Sequence, residues 1–295
     1  MNTFFFLLAG GYGKRTEPLS FYKPKPAFPL DGTPLLQIML NQLACLGLHQ
    51  GFINLHHLPD IIRHIADSHE TNGPKEIVYL QEEILSGSGI LQSAYNRMAA
   101  DDLLLVINGD IFLELPFQNM RDKLLQDKAD GLLLVRPFPT GNSSYRPLQL
   151  DKDRFLTRTD KGDFMYTGTA LFTKKVILQI NQINFFDTLE ASSFNIKVLP
   201  YTGIWLDIGD ISSYQAANFA YQHYRQQTNP VTTSLTNSLS LGVTISADSH
   251  VTHSIIWENT IIQNHSHLHN CIVTNNLNLD ATDGVNEIIT ENRYI

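Results

Sequence analysis

Short, uninterrupted apolar runs that recur between amphipathic stretches restrict this chain more than any other feature. The runs are TFFFLLA from residue 3, GFINLH from 51, EIVYL from 76, LLLVIN from 103 and DGLLLVR from 130. Between them lie DGTPLLQIMLNQLACLG, with Leu36, Met39, Leu40 and Leu43 at helical spacing, then PDIIRHIADSH, GILQSAYNRMA and FQNMRDKLLQD. A strand buried on both faces reads as continuous aliphatic sequence, and helices crossing between such strands cover those faces. The chain is therefore expected to be α/β, with a mostly parallel sheet and helices on both faces. Ligands of such sheets bind beyond the carboxyl ends of the strands.

Short strand candidates follow in PLQLD, FMYTGTALF and NIKVLPYTGIWLDIG, and a helix over ISSYQAANFAYQHYRQQ closes a first domain, residues 1–228. From 229 to 295 helical periodicity stops and Asn, Thr, Ser and His dominate. Aliphatics recur about every six residues at Ile245, Val251, Ile256, Ile262 and Leu268, then less evenly at Val273 and Leu279. A six-residue period is the mark of a parallel β-helix of two or three coils, a form that commonly oligomerises; an edge sheet added to the first domain is the alternative.

The net charge of −8, from 21 Lys and Arg against 29 Asp and Glu, argues against a nucleic-acid face built from summed basic charge. The first apolar run has no leading positive segment and is too short to span a bilayer, so it reads as a strand of a cytoplasmic protein with no membrane partner. Cys45 and Cys271 have neither metal nor disulfide spacing and are expected to be buried small hydrophobes. His56, His57, His250, His253, His265, His267 and His269 lie on no recognised ligand motif and read as exterior residues.

Four stretches carry the chemistry. LAGGYGKR, residues 8–15, leaves a strand into Gly10, Gly11 and Gly13, which allow positive φ or close ligand approach, and then presents Lys14 and Arg15. It matches neither GxxxxGK[ST] nor GxGxxG. In YKPKP, prolines hold Lys23 and Lys25 on a stiff loop. LLLVINGD ends in Asp110 and GIWLDIGD places Asp207 after another apolar run. Two cationic loops with two strand-end carboxylates form a metal-assisted phosphoryl or nucleotidyl transfer site, because magnesium takes one or two carboxylates plus phosphate oxygens. Singly, each stretch also has a plain structural reading, as a tight turn, a helix cap or a buried carboxylate beside Trp205.

In this order the stretches resemble the sugar-1-phosphate nucleotidyltransferase family, also called NDP-sugar pyrophosphorylases, whose catalytic domain is Rossmann-like. LAGGYGKR resembles the signature loop, KPKP the second basic motif, EEILSGSGIL the segment beside the nucleobase and INGD the first metal aspartate. YTGTALF resembles the glycine strand under the sugar, DTLEA the sugar-binding glutamate and WLDIGD the second metal aspartate. The tail SIIWENTIIQNHSHLHNCIV is similar to the left-handed β-helix of the mannose-1-phosphate guanylyltransferase and glucose-1-phosphate adenylyltransferase branches.

The resemblance implies a reaction of a nucleoside triphosphate with a sugar-1-phosphate, magnesium as the cofactor, and a homo-oligomer. Arg15, Lys25 and Asp110 would be catalytic, and Asp110 and Asp207 would hold the metal. Ala9, Gly10, Gly11, Gly13, Gln81, Gly87, Ser88 and Gly89 would line the nucleotide, and Asn108, Gly168 and Glu190 the sugar. Two departures stand out: Thr16 replaces a large apolar residue, and the EKP motif is missing, with only Lys161 of TDKGDF nearby. Such a shortened stretch is similar to the branch containing N-acetylmuramate-1-phosphate uridylyltransferases. A non-catalytic, sugar-nucleotide-binding regulatory paralogue is the rival reading, and an acyltransferase is disfavoured because the β-helix is short.

Overall fold

The structure, a computed structural model, describes residues 1–68, 73–83, 87–139, 145–151, 154–158, 162–180, 185–191, 193–228 and 236–291. The strands up to residue 207 are β1 (Thr3–Leu8), β2 (Pro29–Leu30), β3 (Thr33–Pro34), β4 (Gln50–Leu55), β5 (Glu76–Gln81), β6 (Leu103–Asn108), β7 (Ile111–Leu113), β8 (Gly131–Pro137), β9 (Pro147–Asp151), β10 (Arg154–Arg158), β11 (Phe164–Thr173), β12 (Ile196–Pro200) and β13 (Trp205–Asp207). The helices are α1 (Leu35–Cys45), α2 (Pro59–Asp67), α3 (Phe117–Gln126), α4 (Lys174–Ile177), α5 (Phe185–Ala191) and α6 (Ile211–Thr228). The chain forms two compact units: Met1–Gly11 with Met39–Trp205, and Tyr12–Ile38 with Leu206–Ile295.

The first unit is built on a nine-stranded sheet in the order β5-β4-β1-β6-β11-β8-β12-β10-β9. β5, β4, β1 and β6 run parallel, and β11 lies antiparallel between β6 and β8. The first aliphatic runs become its centre. Phe6, Val106, Leu133 and Ala170 share one buried cluster with Ile90, Leu91, Val176 and Ile177. Their neighbours along each strand, Phe5, Leu105, Leu132 and Leu171, are also 0% exposed and point to the opposite face. There α3, whose buried Met120 and Leu124 lie outside that cluster, packs on β8, β11 and β12. Each such large side chain contributes about 2 kcal/mol of burial, so continuous aliphatic strands favour a sheet covered on both sides.

Local sequence accounts for two differences from expectation. Residues Gly87–Arg97 form a 3-10 helix in place of an α-helix, as suits a segment opening with Gly-Ser-Gly and low in helix formers. Cys45 is exposed and not buried: the packed face of α1 runs through Leu36, Leu40, Leu43 and Ala44 and stops short of it. Cys271 is buried, as expected.

In the second unit β2 and β3 pair as a hairpin that packs on α6. Beyond residue 236 the chain winds into a parallel β-helix with three ladders. β14 (Ser238–Leu239), β17 (Ile255–Ile256), β20 (Ile272–Val273) and β23 (Ile288–Ile289) form one; β15 (Thr244–Ile245), β18 (Ile261–Gln263) and β21 (Asn278–Asp280) form the second; β16 (His250–Thr252), β19 (His267–His269) and β22 (Asp283–Val285) form the third. Ser238 pairs with Ile255 and Ile255 with Ile272, so these coils take seventeen residues; Ile272 pairs with Ile288, so the last takes sixteen. Ile256, Ile262, Leu268, Val273 and Leu279 fill its axis, with Ile245 and Val251 packed beside them.

Seventeen residues over three faces require two steps of six and one of five, and the five-residue steps fall between Val251 and Ile256 and between Leu268 and Val273. The Asn content follows from the corners. Asn259, Asn264, Asn270, Asn276 and Asn286 all have φ between 51° and 60°, a conformation that Asn tolerates better than most residues. Asn259 Nδ2 donates to Asn276 Oδ1 (3.3 Å) and Asn270 Nδ2 to Asn286 Oδ1 (2.7 Å), tying successive coils. Buried hydroxyls satisfy the next backbone, with Ser254 Oγ accepting from Cys271 N (3.0 Å) and Ser266 Oγ from Thr282 N (3.1 Å). His250 and His267 stack outward with ring centroids 5.2 Å apart. Among the described residues no cluster of three or more His, Cys, Asp or Glu side chains is placed to hold a metal, and no helix is long and apolar enough to cross a membrane.

Candidate active site

In the first unit the candidate residues sit at the carboxyl ends of adjacent parallel strands. Leu8 of β1 is level with Asn54 of β4 and with Asn108 of β6, and Leu55 with Gln81 of β5. Ala9, Gly10 and Gly11 leave β1, and Gly109 N donates to Leu8 O (2.9 Å), so Asp110 starts its turn beside the root of the glycine loop. Gly168 interrupts β11 at a register shift, with φ 87°. A Cβ there would stand 2.9 Å from Asn108 Nδ2, so the two form one surface that needs a glycine. Gln81 Oε1 accepts from Arg63 (3.2 Å). Gly87, Ser88 and Gly89 open the 3-10 helix, and Glu190 lies on the exposed side of α5. Lys161 falls outside the described residues.

Sequence reasoning missed Asn54 and Glu82. Asn54 is 5% exposed; its Oδ1 accepts from Ala9 N (2.6 Å) and its Nδ2 donates to Glu82 Oε2 (2.8 Å). A backbone N–H on one side and a carboxylate on the other permit one amide orientation only. The glycine loop is thus anchored at its first residue. The signal available was a polar Asn inside the aliphatic run GFINLH.

In the second unit the charged candidates meet. Gly13 has φ 68°, the only positive φ among the three loop glycines, and its carbonyl accepts from Thr16 N (2.8 Å) and Thr16 Oγ1 (2.7 Å). Thr16 is 0% exposed, so the residue that departs from the family pattern locks this turn by its hydroxyl. Lys25 opens a 3-10 turn after Pro24, is 8% exposed, and donates from Nζ to Gly209 O (2.7 Å). At Gly209 a Cβ would lie 2.8 Å from Asp207 Oδ2 and 3.3 Å from Arg15 Nη2. Arg15, Lys25 and Asp207 therefore converge on one glycine whose missing side chain leaves them room.

Next to it Asp210 caps α6. Its Oδ1 accepts from Ser213 N (2.8 Å) and Ser212 Oγ (2.9 Å). The Ser213 N–H bond, with further help from the Ser212 and Ser213 hydroxyls and the Arg15 charge, holds its carboxyl below the usual value despite partial burial. Lys23, the other lysine of KPKP, is ion-paired with Glu258 and does not share the Gly209 cluster.

Asp110 in the first unit and Asp207 in the second each offer hard oxygen donors of the kind magnesium takes, and Asp207 stands in a cradle that any Cβ at Gly209 would fill.

The Nucleotidyl transferase family matches residues 6–145. A Sulfolobus acidocaldarius protein assigned as a mannose-1-phosphate guanyltransferase is 28% identical over 72% of this chain and 61% of its own length. The mannose-1-phosphate guanyltransferase of Candida albicans is 23% identical over 73% of this chain and 63% of its own. The chain thus spans about three fifths of the length of these curated relatives. The crystal structure of HddC from Yersinia pseudotuberculosis superposes with a TM-score of 0.64 at 23% identity, over 75% of this chain and 100% of that one. With its motifs in order, its Rossmann-like sheet and its β-helix, this chain is similar to sugar-1-phosphate nucleotidyltransferases, and the Nucleotidyl transferase match covers its N-terminal part.

Proposed function

We propose that the protein transfers a nucleotidyl group from a nucleoside triphosphate to a sugar-1-phosphate, releasing pyrophosphate. The observation that carries this reading is the convergence of Arg15, Lys25 and Asp207 on Gly209. A phosphate oxygen of the sugar-1-phosphate attacks the α-phosphorus in line, the new P–O bond forms, and the α–β bridging bond breaks with its electron pair leaving on pyrophosphate. Positioning and charge neutralisation carry such a transfer, with no covalent enzyme intermediate.

Arg15 neutralises the departing pyrophosphate, and Lys25 the α-phosphate and the attacking group. The glycine loop brings backbone N–H groups toward the nucleotide, with Gln81 and residues 87–89 beside the base or ribose; the Asn108–Gly168 surface and Glu190 face the sugar. Asp110 and Asp207 are the ligands proposed for magnesium, which when bound supplies charge stabilisation at the phosphates.

The test is pyrophosphate release from GTP, ATP, UTP and dTTP, with magnesium and a panel of mannose-, glucose-, heptose- and amino-sugar-1-phosphates. The names of the curated relatives put GTP with mannose-1-phosphate first. Turnover with one pair supports the reading. Silence across the panel, with calorimetric binding of a sugar nucleotide, replaces it with a regulatory one.

A further inference from the structure

We infer that the β-helix is a working part of the transfer site: Trp257 and Glu258, on its second coil, are positioning residues for Lys25. The inference rests on the role proposed for Lys25. Residues on both sides of that lysine are held by this coil. On the N-terminal side Lys23, 8% exposed, is ion-paired with Glu258, and its Nζ stands 5.4 Å from the Trp257 ring centroid. On the C-terminal side the Phe28 ring lies 5.3 Å from Trp257 and 5.1 Å from Tyr214 of α6. Trp257 Nε1 donates to the Tyr214 hydroxyl (3.0 Å), which donates onward to Pro29 O (2.9 Å).

Strand alternation explains how a coil can do this. Ile256 points into the β-helix axis, so Trp257 points out of it, and it is 0% exposed because the lysine loop and α6 cover it. With Pro24 and Pro26 fixing φ on either side of Lys25, the segment from 23 to 29 has little freedom once its ends are clamped. An amine that must meet charge developing in a transition state gains from such pre-organisation. A β-helix serving only to oligomerise has no need of a buried cation–aromatic contact with this loop.

The experiment compares the full-length chain with Glu258→Gln, Trp257→Phe and the swap Lys23→Glu with Glu258→Lys, using the substrate pair that the panel identifies. We expect Glu258→Gln to lower kcat about tenfold with KM for the triphosphate within twofold, and the swap to recover most of that loss. The circular dichroism melt of each variant, taken with its oligomeric state, separates this from unfolding. An independent readout needs no turnover: acetylation of Lys25 by acetic anhydride, followed by mass spectrometry, is expected to speed up several-fold in Glu258→Gln while that of exposed Lys14 stays constant. Unchanged kcat and unchanged Lys25 labelling overturn the inference, as does a loss of kcat that only tracks the unfolded fraction. A wild-type chain silent on every pair instead overturns the proposed function, and the labelling experiment still decides whether the clamp exists.

Discussion

The candidate residues of the two units differ in chemistry. In the first, the candidate surface is mostly backbone and amide: Ala9, Gly10 and Gly11 after β1, Asn54 behind them, Asn108 against Gly168, with Asp110 as the charged member. In the second it is charge held in place: Arg15, Lys25 and Asp207 around Gly209, with Asp210 behind. Shape made of backbone recognises what is common to substrate and transition state, whereas fixed charge acts most where charge develops. Substitutions in the two units are therefore expected to divide between KM and kcat.

The largest expected effect is on the charged side. Lys25→Ala should lower kcat by about two to three orders of magnitude, the usual result of removing one pre-organised donor. If steady-state kinetics show a raised KM alone, the division fails. On the shape side, Gly168→Ala forces an L side chain to φ 87° and within 2.9 Å of Asn108 Nδ2. It is expected to raise KM for the sugar-1-phosphate by roughly tenfold and to cost about 1 kcal/mol or more of stability, read from a urea titration.

Asn54→Asp keeps an acceptor for Ala9 N but sets a carboxylate against Glu82. A severalfold rise in KM for the triphosphate, reversed by adding Glu82→Gln, would sharpen the comparison, because the Gln amide can again donate to position 54. Absence of rescue would show that the anchor acts by bulk alone.

The smallest effect concerns pH. The folded-state pKa of Asp210 is lowered, so its contribution is present above the ordinary carboxylate value and is lost as pH falls through the folded-state value. Asp210→Ala should cost about 1 kcal/mol near neutrality as a lost helix cap, and the gap to wild type should narrow in denaturation curves taken below about pH 4. A gap constant with pH would assign the loss to packing.

These features were unequally legible in the sequence. The parallel sheet and the β-helix both came from hydrophobic period, since each imposes its own spacing on aliphatics. β7 and β10 escaped, being short and continuous with their neighbours. Arg15 and Lys25 could be picked out because they follow glycine- and proline-stiffened turns, Asp110 and Asp207 because each ends an apolar run. Asn54 and Glu82 could not, because their role arises from register between β1, β4 and β5, which no local pattern encodes. Lys23 and Lys25 look equivalent in YKPKP, yet one pairs with the β-helix and the other reaches Gly209. Proline rigidity was readable; the direction of each lysine was a tertiary fact.

The coil also bears on how this tail can change length in evolution. The first coils take seventeen residues and the last sixteen, yet Ile289 still packs on the axis and Asn286 still turns a corner at positive φ, so a corner absorbs the loss of one residue. A residue added or lost inside a strand instead turns that strand's aliphatics off the axis, whereas duplicating one whole coil leaves them in place. Changes at a corner, or of a complete turn, are thus the ones from which natural selection has material to choose.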